Sequence, residues 1–527
     1  MVVRRIRIAA VGGLIAAAGL LPLGLLASPA DAAADGCTAG VRSDFNGDGR
    51  SDAVVADPYA TVAGQVQAGR VVVLYGDGDG LIGEGARGTV SQGAGSVAGL
   101  AETGDRFGSA LAVADLDCDG FTDLVVGTPL EDNGGQTNAG LVQVIWGSAA
   151  GLGAGAASRQ ITQSDFPNAD VVAGDQFGFA VDALEDVGQG GTPAPDAYAV
   201  AIGVPGGNIA GLNDSGWVGV LHAYDGGNVA TAIHQNSTGV PGSAEAGDRF
   251  GAAVSINQLL TFDASHPTFE IDVVVGVPNE DIGTIADAGA IAVIKDVYFE
   301  EFPGSQDFHQ DTAGVPGTAE AGDQFGRSLD TVRVGGTTRL AVGVPGEDVG
   351  SDSNAGAVQL FSSNNITITP GTSLTQDTAG VSGAAEPGDL FGNQLAFAAP
   401  GLGDPTTRLA VAVPGEDGTV ANQGVVQLFP VTDLDAETTY SQDSAGVPGV
   451  AQAGDEFGET LAFIHGATER ALIVGVPDDV AATTGMVDVI PLGGGAPRAW
   501  TPGAGGVPAA GASRFGGALA SVHGGTT

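Results

Sequence analysis

Gly104-Asp105-Arg106-Phe107-Gly108 is one copy of a pattern, Gly-Asp-x-Phe-Gly, that returns at Gly174–Gly178, Gly247–Gly251, Gly322–Gly326, Gly388–Gly392 and Gly454–Gly458. A decayed copy, Ala512-Ser513-Arg514-Phe515-Gly516, lies near the C-terminus. The seven phenylalanines stand at 107, 177, 250, 325, 391, 457 and 515, a spacing of 58 to 75 residues. Two other signals keep step with them. Apolar runs close in Gly127-Thr128-Pro129, Gly203-Val204-Pro205, Gly276-Val277-Pro278, Gly343-Val344-Pro345 and Gly475-Val476-Pro477, with variants Ala56-Asp57-Pro58 and Ala412-Val413-Pro414. A glycine opens a further apolar run at 69, 140, 216, 289, 356, 424 and 485.

These runs are short, rich in Val, Ile and Leu, and bounded by Gly, Pro, Asn and Asp, which reads as strands and turns. About four strands per unit of roughly 70 residues fits a β-propeller blade. A linear β-solenoid needs shorter, more regular turns, and a string of sandwiches needs a core of its own in every unit. The chain ends complement one another. The first unit has the second and third signals but no Phe-Gly strand; the last has Phe515-Gly516 and then stops. The expected fold is therefore all-β, a seven-bladed propeller over 33–527. Its ring would be closed by a composite blade with a C-terminal inner strand and N-terminal outer strands.

The Gly-Asp-x-Phe-Gly strand, the Gly-x-Pro turn and the Asp-rich loops described next resemble FG-GAP repeats over residues 41 to 523. Such repeats build the seven-bladed propeller of integrin α-subunits and of many secreted bacterial proteins. On this reading Phe107 and its equivalents pack between sheets, the next glycine admits a close backbone, and Asp105 and its equivalents accept turn N–H bonds.

Two loops place hard oxygens at alternate positions. Asp44, Asn46, Asp48 and Asp52 do so in the first, and Asp115, Asp117, Asp119 and Asp123 in the second. The backbone carbonyls of Arg50 and Phe121 would take position seven, and Gly49 and Gly120 allow the sharp turn. This is the donor set and spacing of a Ca²⁺ loop. Unlike an EF-hand it closes at position nine and runs straight into a strand. The resemblance implies a Ca²⁺-binding hairpin between the first and second strands of a blade, giving about two structural Ca²⁺ sites. Mg²⁺ fits less well because the loop leaves little room for its retained waters. Val334 to Thr337 and His465 to Thr468 read as short hairpin turns instead. Asp182, Glu185, Asp186 and Asp196 are too irregular for a site.

An acidic pair follows most Gly-x-Pro turns: Glu131-Asp132, Glu280-Asp281, Glu347-Asp348, Glu416-Asp417 and Asp478-Asp479. Paired carboxylates suggest acid–base catalysis, but a catalytic pair is needed once, whereas a turn-fixing pair is needed in every blade. One blade departs, with Pro205-Gly206-Gly207-Asn208 in place of the pair. Its Trp217, near Asn213 and Asp214, is expected to pack within the sheet; the other use would be stacking on a sugar or protein ligand. There is no Gly-x-Ser-x-Gly, no His-Glu-x-x-His and no phosphate loop, and the six histidines are scattered.

Only 15% of the 527 residues are charged and mean hydropathy is +0.19, so the chain can bury a large core. With 62 acidic against 18 basic residues, net −44, nucleic acid is excluded as a major partner. Residues 1–32 read as a signal peptide: Arg4, Arg5 and Arg7, an apolar run from Ile8 to Leu26, and the small-x-small site Ala30-Asp31-Ala32. The rest has no membrane-spanning segment, so the protein is expected to be secreted, in the medium or attached to the cell wall. Its two cysteines, Cys37 and Cys118, are expected to pair in an exported chain. The functional expectation is a monomeric, non-catalytic binding or adhesion module for an extracellular protein or carbohydrate. The rival expectation is an extracellular hydrolase with its site in the central channel.

Overall fold

The computed structural model describes residues 43–520 apart from 80, 168, 186–197, 225–226, 258, 260–270, 298–300, 335–336, 365–366, 401–405, 466–469, 480–483, 510 and 512. The expected signal peptide, Cys37, Asp186, Asp196 and the centres of the two short hairpin turns lie outside the described residues. The strands flanking those turns pair in register, Val334 with Thr337 and His465 with Arg470.

β1 (Ala53–Asp57), β2 (Arg70–Leu74) and β3 (Arg87–Val90) form a three-stranded sheet. Six four-stranded sheets follow. The first has β4 (Ala110–Ala114), β5 (Asp123–Thr128), β6 (Leu141–Ile145) and β7 (Arg159–Ile161). The next has β8 (Val181–Glu185), β9 (Tyr198–Val204), β10 (Trp217–Tyr224) and β11 (Gly227–Ile233). The last four begin with β12 (Ala253–Asn257), β16 (Leu329–Val334), β20 (Leu395–Ala398) and β24 (Thr460–His465). Every sheet is an antiparallel meander, and the one helical turn among the described residues is a 3₁₀ turn, Gln163–Asp165. This is a seven-bladed β-propeller. No helix among the described residues is long and apolar enough to cross a membrane.

The second and third strands are largely apolar and buried because each sheet is covered on both faces by its neighbours; all six residues of β5 and all seven of β9 are buried. Seven hydrophobic clusters fill the seven gaps between sheets. One joins Val55 and Val72 of the first sheet to Ile473 and Val489 of the last, so the ring is continuous. The repeated phenylalanines sit in these gaps, none more than 1% exposed.

The repeat residues fasten blade to blade. The N–H of Phe177 donates to Ala139 O at 2.9 Å, and Phe107, Phe250, Phe325, Phe391, Phe457 and Phe515 make the equivalent bond. A Cβ on Gly140 would overlap the Phe177 backbone, which is why a glycine opens the third strand. The glycine after each phenylalanine donates to the Gly-x-Pro turn of its own sheet: Gly108 to Gly127 O (3.2 Å), Gly326 to Gly343 O (3.0 Å). The last of this series, Gly516 to Ala56 O (2.9 Å), runs from the C-terminal repeat to β1, and Leu519 bridges Val55 antiparallel. The residue before each of the first six repeat phenylalanines takes a left-handed conformation, at φ 56° for Arg106, 61° for Arg249 and 57° for Gln324.

Candidate functional site

The two acidic loops lie side by side. Thr122 N–H donates to Asp44 O (2.9 Å), Ser148 N–H to Phe45 O (3.1 Å), and the Phe121 ring covers Gly47, where any Cβ would collide with it. In the first loop Asp44 accepts N–H bonds from Gly47 and Gly49 (both 2.7 Å), Asp48 (3.2 Å) and Asn46 (3.3 Å). Asn46 accepts from the Asp48 N–H, and Asp48 accepts the Arg50 N–H while also ion-pairing its guanidinium at 3.0 Å. Asp52 is fully buried and ties the loop to the sheet through the N–H groups of Phe45 (3.0 Å) and Gly76 (2.9 Å). Burial, with the charges of Asp44 and Asp48 adding to it, pushes its carboxyl up to about 7.

The second loop repeats the frame with a different centre. Asp115 accepts the Gly120 N–H, Asp119 the Phe121 N–H, and buried Asp123 those of Leu116 and Gly147 (both 2.8 Å). Carboxylate oxygens of Asp115, Asp117 and Asp123 lie within 4.8 Å of one another. Burial chiefly, then Asp117 and Asp115, pushes Asp123 up to about 8. Three converging carboxylates, with the buried Asp123 held high by its burial and by the other two, favour either a proton or a hard cation at that centre. Glu456, Glu459 and Asp478 also converge, but Arg514 sits among them, 2.7 Å from Glu459 and 2.5 Å from Asp478, so that cluster already has its cation.

On the face with the Gly-x-Pro turns, the acidic pairs are consumed by internal bonds. A glutamine from the preceding segment donates to one acid of each pair, the first in four of them and the second in Asp478-Asp479: Gln92 to Glu131 (2.7 Å), Gln235 to Glu280 (2.6 Å), Gln310 to Glu347, Gln376 to Glu416 and Gln442 to Asp479 (2.8 Å). Asp132, Asp281, Asp348 and Asp417 each accept an N–H of their own loop, from Asn138, Asp287, Asn354 and Asn422. The aspartates before the phenylalanines are buried and accept turn N–H bonds, Asp105 from Glu102 and Asp323 from Glu320. Burial pushes Glu131, Glu280, Asp323 and Asp389 up to about 7, and neighbouring carboxylates add to each shift. The glutamines had escaped the reading of the sequence, although five of them stand 15 residues ahead of a repeat phenylalanine.

The departing blade is built around packing. Trp217 is 5% exposed and meets Phe166 edge-on (5.7 Å between centroids, 70°) and Phe177 at 6.1 Å. A Cβ on Gly207 would overlap the indole, so the glycine where other blades carry Glu makes room for the tryptophan. Asn208 takes over the loop-fixing role by accepting the Asp214 N–H (2.9 Å).

The central channel is lined by one stretch from each repeat, including Ala110, Val181, Ala253, Leu329, Gln394, Leu461 and Leu519. Two carboxylates at one repeat position, Asp182 and Asp330, each five residues after a repeat phenylalanine, line its interior. Each accepts an N–H of the next inner strand, Asp182 from Ile256 (2.8 Å) and Asp330 from Phe397 (2.5 Å).

The FG-GAP repeat family matches residues 107–145. Phosphatidylinositol-glycan-specific phospholipase D of Rattus norvegicus is 39% identical over 115 residues, covering 21% of this chain and 13% of that protein. Integrin alpha pat-2 of Caenorhabditis elegans is 31% identical over 170 residues (29% and 12%), and human integrin alpha-IIb 33% identical over 160 (29% and 13%). The chain thus spans about an eighth of the length of the relatives it matches. The repeat match, the integrin α relatives and the seven sheets make this chain an FG-GAP-repeat β-propeller.

Proposed function

We propose that the chain is a secreted, Ca²⁺-stabilised propeller of the bacterial FG-GAP type, acting as a non-catalytic binding module for an extracellular protein or glycan. The observation that supports this most is the fate of the recurring carboxylates. Every acidic pair that could have served acid–base chemistry is held by a glutamine or loop N–H bonds in blade after blade, the use a scaffold makes of them. The name of the phospholipase D relatives describes proteins that this chain covers only to 13%, and their activity is not part of the proposal.

Asp115, Asp117, Asp119, Asp123 and the Phe121 carbonyl would hold one Ca²⁺; Asp44, Asn46, Asp48, Asp52 and the Arg50 carbonyl would hold the second. The ion's part would be to neutralise the converging carboxylates and lock two adjacent loops. We also read residues 516–519 on β1 as the inner strand of a composite blade, Cys37 and Cys118 as a disulfide, residues 1–32 as a cleaved signal, and the mature protein as a monomer in the medium or at the cell wall. The deciding experiment is a screen of the mature protein in Ca²⁺ against immobilised extracellular proteins and glycans, with product analysis of every positive. Saturable binding without turnover supports the module; cleavage of any bound partner overturns it in favour of a channel hydrolase.

A further inference from the structure

At the channel mouth on the Gly-x-Pro face, arginines of two neighbouring blades approach Phe179, one lining the opening beside it and one lying over its ring. Arg327 follows Phe325-Gly326 and lines the opening with Ser109, Phe179, Gln394 and Thr460; the cavity there measures about 400 Å³. Arg249, from the preceding blade, lies with its guanidinium 5.6 Å from the centre of the Phe179 ring. The protein around the channel lowers the Arg327 pKa, and the Arg249 charge adds to that shift. Arg327 is nevertheless exposed at the opening.

Four other arginines of this acidic chain are claimed by carboxylates: Arg50 by Asp48 at 3.0 Å, Arg70 by Asp57 at 3.1 Å, Arg514 by Glu459 and Asp478, Arg498 by Glu84. Among the described residues neither Arg249 nor Arg327 has a carboxylate partner. With 62 acidic residues available, two adjacent guanidinium groups left unpaired are an arrangement that folding electrostatics alone does not favour.

We propose that Arg249 and Arg327 form a carboxylate-binding site at the channel mouth, taking an acidic side chain presented on a protein or peptide loop. The guanidinium fork matches a carboxylate in two-point geometry, and a cavity of this size admits a side chain and its stem. A sugar acid is the weaker occupant because Phe179, the aromatic ring lining the mouth, is already covered by Arg249. The net charge of −44 repels polyanions, so the ligand brings one anionic group on an otherwise uncharged or cationic segment. This inference rests on the binding-module reading and names the chemistry of its site.

The test is an NMR titration of the full mature protein labelled with ¹⁵N-arginine, its Nε signals assigned through R249Q and R327Q. The probes are N-acetyl-glutamate methylamide, its uncharged glutamine counterpart, glucuronate and inorganic phosphate. The expected result is a saturable shift of both signals with the glutamate probe and none with the glutamine one. Affinity should fall on the order of tenfold or more in R327Q, whose melting temperature stays that of the parent. Equal response to the two amino-acid probes, or none to any, overturns the site and leaves the module reading to its own screen. A response confined to glucuronate or to phosphate overturns the peptide assignment. R249K separates charge from geometry: it retains the response weakly if the fork matters.

Discussion

The blade of β8–β11 and the blade opened by β16 solve the same packing problem with different chemistry. In the second, Glu347 takes a hydrogen bond from Gln310, its carbonyl accepts the Gly356 N–H (3.0 Å), and the next residue is the small Ala357. In the first, the glutamate position is Gly207, the alanine position is Trp217, and the indole fills the gap against Phe166 and Phe177. An element that one blade replaces by an aromatic ring is part of the scaffold. The glutamates therefore hold the rim of the propeller in place, and chemistry specific to a ligand has to be sought where the blades differ.

The sharpest way to break this comparison is to remove the ring. Trp217→Ala should cost about 3–5 kcal/mol in urea or thermal unfolding, because Gly207 offers no side chain to refill the space. A loss under about 1 kcal/mol would mean that the indole is peripheral. Glu347→Ala should cost about 1–3 kcal/mol by stranding Gln310 in a buried setting. Exchanging the solutions sharpens the point further. Ala357→Trp alone should be destabilising by overpacking, and adding Glu347→Gly should recover part of that loss, a coupling that a double-mutant cycle reads directly.

The pH response separates the two designs again. Glu280, Asp323 and Asp389 are held up to about 7 and Asp248 to about 6 in the folded protein, against about 4 when unfolded. Between those values the folded state binds more protons, so their contribution is full below about pH 4 and is lost as pH rises through 6 to 7. In EGTA the melting temperature should fall from pH 5 to pH 8, with a slope of about 1.4 kcal/mol per pH unit for each extra proton bound. The Trp217 blade adds to this only through Asp175, held up to about 6. A flat profile would show that these carboxyls are less desolvated than their burial implies.

The smallest effect expected is that of the metal. Millimolar Ca²⁺ should stabilise by about 1 kcal/mol per loop over EGTA, and Asp123→Asn should remove one share. Metal analysis of the purified protein should find two ions; none bound and no shift would leave the loops as acidic turns.

The ring of blades was legible because the repeat residues act on the backbone. Phe177 must reach into a gap and Gly140 must let it pass, so neither identity drifts. The loop oxygens were legible for a similar reason, a fixed spacing along a tight turn. Gln310 and its equivalents were not, because a glutamine in a polar segment looks like any surface residue until its partner 37 positions on is folded beside it. The Arg249–Arg327 pair was hidden too. The two lie in different blades, and only closing the ring brings them to one opening.

The left-handed residue ahead of six of the seven repeat phenylalanines has a consequence for how such proteins diversify. Its backbone is fixed by neighbours on both sides, while its side chain carries no part of the core: it is Arg106, Gln176, Arg249, Gln324, Leu390 and Glu456 in successive blades. A non-glycine residue there bears a strain of about 1 kcal/mol whatever its chemistry, so one identity is nearly as tolerable to the fold as another. The architecture thus exposes a circular register of positions whose letters can be rewritten independently, each by a single substitution, while the instructions for folding stay untouched.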